Sequence, residues 1–215
     1  MRDMGRKVSE LCAEALALAA GGWWIAGGAI LLLCGAGIAA DLLGPAGRLA
    51  GGAVQLGVSW GVLRSMAQRQ GWIPPGSRAG GVLGLLGLNI LHTVGVGLAC
   101  LLLLLPGLYV AARWSAAGVI LVAERASPTE ALGESWARTR DWAGVIALVL
   151  CGVFLPLVAA GVALALWTDP DSTSVGAVAG TNLAIALSYV CAWYVGMAVY
   201  ARTRASQEGL EQVFA

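Results

Sequence analysis

Arg113 is the residue whose chemistry is hardest to ignore, because it places a guanidinium inside the apolar stretch 108–123, seven residues after Pro106-Gly107. An arginine within a membrane crossing costs about 2.5 to 3.5 kcal/mol on insertion scales, so it calls for a partner. Two readings stand. Either the side chain lifts its charge toward headgroups or bonds helix carbonyls, or it points inward and binds phosphate or carboxylate from a lipid or substrate, walled by Tyr109, Trp114 and Trp60. Asn89 and His92 lie three residues apart on one helix face and make a second polar spot, fit for an interhelical hydrogen bond or a proton relay. If the chain turns at Pro106, antiparallel counting sets residues 98–100 beside Arg113, and His92 stays apart from it.

Beyond this cation no enzyme constellation emerges. HExxH, GxSxG and Walker patterns are absent, and no histidines or aspartates pair at metal spacing, so we expect a non-enzymatic protein with no cofactor and no metal. Asp169 and Asp171 flank a proline in a polar turn, where hydration suffices. The five cysteines, Cys12, Cys34, Cys100, Cys151 and Cys191, stand singly in apolar segments and read as small packing residues.

The elements that must position Arg113 are long and apolar. The 215-residue chain is 59% hydrophobic and 12% charged, with mean hydropathy +0.80, the composition of an integral membrane protein. We expect an all-α, single-domain fold of six transmembrane helices at about 16–40, 46–66, 79–105, 108–123, 143–167 and 175–201. An amphipathic helix at the N-terminus, with Val8, Leu11, Cys12 and Ala15 at helical spacing, skims the surface. A signal peptide is the rival reading of this region, but a cleavage point near residue 39 fits it poorly. Gly44-Pro45 makes the first turn, and Pro156 marks a kink in the fifth crossing. Gly47/Gly51, Gly57/Gly61, Gly80/Gly84 and Gly176/Gly180 have the small-xxx-small spacing that lets helices approach closely.

At the far end of the fourth crossing, Glu124 and Arg125 mark an exit. Ser127-Pro128-Thr129-Glu130 is a capping box with proline at the first helical position. The helix it opens, 128–140, carries Leu132, Ser135, Trp136 and Thr139 on one face and the i,i+4 pair Glu134 and Arg138 on another. That pattern suits a short cytoplasmic helix lying in the headgroup layer. Glu124 is placed to pair with a basic residue of another loop, Arg78 or Arg202.

PGLYVAARW (106–114), VAER (122–125), SP (127–128) and EALGESW (130–136) together resemble the membrane domain found ahead of glycerophosphoryl diester phosphodiesterases, and the related uncharacterised six-helix inner membrane proteins of bacteria. The resemblance covers about forty residues and implies a six-helix inner membrane protein. Within it Glu124 matches the family's acidic position, and Ser135 and Trp136 its serine-aromatic position. No phosphodiesterase catalytic domain is present in this sequence.

Sidedness follows from the cations. Eleven of the thirteen lysines and arginines, all but Arg48 and Arg113, fall on one side if the N-terminus is cytoplasmic, which by the positive-inside rule places both termini in the cytoplasm. With a formal net charge of +1, nothing recruits nucleic acid. The expected partners are the lipid bilayer and another membrane protein, or a second copy through glycine-rich faces. The leading expectation is an accessory or scaffold module binding lipid or an envelope protein; the alternative is a small transporter or lipid-translocating protein. Gly44-Pro45 with Arg48 and Pro106-Gly107 with Arg113 suggest a pseudo-repeat of the transporter kind.

Overall fold

The computed structural model describes residues 2–74, 80–167 and 175–214, and these are helical almost throughout, with no strand. Five helical stretches among them are long and apolar enough to cross a membrane. The first helix, α1 (Arg2–Gly21), is amphipathic: Leu11, Ala15 and Leu18 are buried along one stripe, while Arg6 and Lys7 pair with Asp3 on the other face. It takes up residues 16–21, which the sequence assigns to the first crossing. Gly22 separates it from α2, so the apolar rod begins at Trp23.

α2 (Trp23–Arg69) is a hairpin and not one rod. At Gly44 the backbone turns with φ 64° and ψ −140°, a conformation open to glycine, and Pro45 follows where its missing N–H costs nothing. The two legs return on each other: the Arg69 guanidinium donates to the Gly21 carbonyl at 2.7 Å, and Gly47 and Gly51 lie against Ala40, leaving no room for a side chain at Gly47. This glycine pair packs as its spacing suggests. Gly80 and Gly84 do the same against Leu121, whereas Gly57, Gly61, Gly176 and Gly180 have no neighbour among the described residues within reach of an added Cβ.

The second hairpin pairs α3 (Val82–Leu102) with α4 (Leu104–Arg113) and α5 (Ala117–Glu124). Its hinge is Leu103, in extended backbone, and not Pro106-Gly107. Pro106 sits instead in the first turn of α4, where the backbone N–H has no intrahelical acceptor to lose. The fourth apolar segment is also not continuous, because α4 and α5 are separated by a turn at 114–116.

α6 (Pro128–Arg138) opens with the expected capping box: Ser127 Oγ accepts from the Glu130 N–H, and the Ser127 N–H donates to Glu130 Oε2 at 2.8 Å. The helix does not simply lie on the bundle. Ala131, Leu132, Ser135 and Thr139 are buried against neighbouring elements, so one face is packed into protein. A 3-10 turn, Arg140–Trp142, leads into α7 (Ala143–Trp167), which continues through Pro156, and α8 (Val175–Phe214) runs well past residue 201. The polar turn at 168–174, with Asp169 and Asp171, lies outside the described residues.

The core is concentrated at one end. Val119, Ile120, Leu121 and Val122 of α5 are buried among α2, α3, α6 and α8, with Leu11, Met66, Met197 and Tyr200 closing around them. The ion pairs gather there too: Arg202 of α8 holds Glu14 and Glu10 of α1, which ties α8 to α1. Toward the hinges the surface is leucine, with Leu31, Leu32, Leu42, Leu43, Leu98 and every leucine from Leu101 to Leu105 exposed.

Candidate functional site

The break in the fourth segment builds the site. In an unbroken helix the Ala117 N–H would donate to the Arg113 carbonyl, but here it donates to Trp114 O at 3.1 Å, and the Arg113 carbonyl is released. α6 takes it up. Ser135 Oγ donates to it at 2.8 Å, and Thr139 Oγ1 lies 2.9 Å from it and 2.7 Å from the Ser135 carbonyl. Ser135 and Thr139 are fully buried, so the serine of the serine-aromatic pair is the acceptor's replacement partner. Thr139 completes the arrangement, and its i,i+4 relation to Ser135 on an apolar face was the sequence signal for it.

Arg113 is buried, 3% exposed. Its guanidinium carbon stands 4.5 Å from the ring centre of Trp136 and 5.8 Å from that of Tyr109, one helical turn earlier on α4. The two rings meet edge to face at 5.9 Å. Trp136 neighbours Trp114 at 6.2 Å, and Trp114 neighbours His92 at 5.8 Å, so four aromatic rings form one chain alongside the cation. Arg113 Nε and Nη1 are buried without a hydrogen-bond partner among the described residues, as are Ser115 Oγ and Tyr194 OH.

His92 therefore belongs to the cluster, contrary to counting about Pro106. Moving the hinge to Leu103 shifts the antiparallel partner of Arg113 to about residue 93, and Gly95 packs against the Trp114 ring. Asn89 does not join it: its side chain is on an exposed face of α3. Trp60 is not a wall of the site either, since its Nε1 donates to the Gly80 carbonyl at 2.8 Å and Arg64 stacks over its ring.

The exit motif is structural around this centre. Of the two expected partners of Glu124, Arg78 lies outside the described residues and Arg202 holds Glu14 and Glu10 instead; Glu124 accepts from both Nη1 and Nη2 of Arg138, at 2.7 and 2.9 Å. Arg138 Nε also bonds Glu134. Burial opposes the Arg138 charge, but the hydrogen bonds to the two carboxylates outweigh it and raise its pKa. The Ser127 N–H holds the Glu130 carboxyl below its ordinary range. Through these bonds α6 is fixed at its start by the cap, at its side by Glu124, and at its end by the Arg113 carbonyl.

The arrangement offers a desolvated cation against stacked rings. Among the described residues no three His, Cys, Asp or Glu side chains gather as a metal site. No protein-family model, curated protein or solved structure matches this chain.

Proposed function

We propose that the chain is a six-span bacterial inner membrane protein of the kind its 106–136 motif resembles, with both ends cytoplasmic, acting as a non-enzymatic accessory or scaffold module that binds lipid or another membrane protein. The observation that carries this reading is the distribution of surface. Six apolar rods, counting the legs of α2 separately and α4 with α5 as one, expose leucine broadly toward their hinges. Such a surface suits acyl chains and would be a severe liability in water. The packed end holds small and branched apolar side chains around α5, which favours a scaffold over a carrier, since a carrier needs a polar cavity open to one side.

Chemical crosslinking in native membranes followed by purification in a mild detergent tests the proposal. A membrane protein recovered in fixed ratio with the chain is the expected result. A chain that purifies alone and drives solute flux when reconstituted into liposomes would replace the scaffold with the transporter.

A further inference from the structure

Arg113 is provided with packing but not with a counter-charge. Two aromatic rings stabilise a desolvated guanidinium, but by less than burying an unpaired ion costs. Among the described residues no carboxylate bonds it, and Nε and Nη1 retain unspent protons. A planar guanidinium in this state is suited to a phosphate or carboxylate oxygen.

Its surroundings indicate where such an oxygen comes from. The rings that cover the guanidinium are themselves open to the outside, Tyr109 by 46% and Trp136 by 38%, and Tyr109 continues the exposed face that begins with Leu101–Leu105. On α6, Glu130 is exposed and Glu134, on the face turned away from Trp136, is partly exposed. Carboxylates do not face acyl chains, so the polar headgroup layer extends to α6, and Arg113 lies behind the last turn of that helix. Tyrosine and tryptophan are the side chains favoured at that boundary.

We infer that Arg113 binds the phosphate of a phospholipid headgroup from the cytoplasmic leaflet at the α4–α5 break, beside Tyr109 and Trp136. The bound phosphate supplies the counter-charge the protein omits. The inference rests on the membrane reading above. It gives the break a purpose, because the interruption that frees the Arg113 carbonyl for Ser135 and Thr139 also docks Trp136 against the guanidinium.

Native mass spectrometry of the full chain in detergent, after graded delipidation, tests this. Wild-type protein should retain one phospholipid through washes that strip the rest, and Arg113→Gln, with helical content unchanged, should retain it at least tenfold less. If Arg113→Gln does not fold, Trp136→Ala, which removes a partly exposed ring, should weaken retention several-fold. Reconstitution in nanodiscs of a phosphate-free glycolipid, with inorganic phosphate added, separates the sources. Thermal stabilisation by inorganic phosphate in wild type alone supports the anion site and assigns it to free phosphate. Equal phospholipid retention by wild type and both variants, or no retained phospholipid together with no response to phosphate, overturns the inference and leaves the membrane module standing. A chain that fails to insert at all overturns the module, and the phosphate titration in detergent then decides the site by itself.

Discussion

The two hairpins of this protein each carry an arginine on the return leg and accommodate it differently. Each hinge precedes an arginine by a short interval, Arg48 after Gly44-Pro45 and Arg113 after Leu103. Arg48 is four residues from its hinge and exposed, so it reaches the polar layer without help. Arg113 is ten residues from its hinge, about 15 Å along the helix, and buried. The return leg of the first hairpin runs on through Arg69, whereas the second breaks immediately after its arginine and admits α6. Depth along the leg thus separates a solvated charge from one the fold must accommodate, and the accommodation here is a break in the helix, two hydroxyls and an aromatic stack.

The largest effect that would sharpen this contrast comes from the hydroxyls. Replacing both, Ser135→Ala with Thr139→Val, leaves the buried Arg113 carbonyl without a donor and should cost about 1 to 3 kcal/mol, read as a lower melting temperature in detergent. Ser59 is the matched control in the first hairpin, because its Oγ bonds Leu56 O within its own helix, and Ser59→Ala should shift the same curve by about 0.5 kcal/mol or less. Similar losses from both would break the contrast.

A smaller difference belongs to the hinges. Gly44→Ala forces a side chain onto a φ of 64° and should cost about 1 to 2 kcal/mol, while Leu103→Ala, in extended backbone and exposed, should cost about 0.5 kcal/mol or less. Thermal melts of the two variants check this directly. Equal losses would mean that the first hinge is not held by its backbone conformation.

What could be read from the sequence follows the same physics. Helix positions were legible wherever apolar runs met caps: Ser127-Pro128-Thr129-Glu130 marked the start of α6, and the pair Glu134–Arg138 formed as its spacing suggests. The first hinge was legible too, because glycine before proline has few other uses inside an apolar run. The second was displaced by three residues, since a proline permits a helix to begin just before it as readily as it ends one, and only packing decides between them. That small displacement reassigned His92, because each residue of hinge movement shifts an antiparallel partner by two. Arg113, Tyr109 and Trp114 were recognisable as a group from their proximity in sequence, and Trp136 and Ser135 were recognisable as a motif. Their meeting was not legible, because it depends on a helix break at Trp114 that no glycine or proline announces. Asn89 was misplaced because a polar residue in an apolar helix signals either a buried bond or an exposed face, and periodicity alone does not choose.

Every element placed above follows from how the rods thread a bilayer. Reporter fusions ending after Leu103 and Asp171 should report the outer side, and fusions ending after Gly71, Arg125 and Arg204 the cytoplasm, so that sidedness alternates at each hinge and exit. A chain recovered freely soluble, or fusions after Arg125 and Asp171 that report the same side, would contradict it.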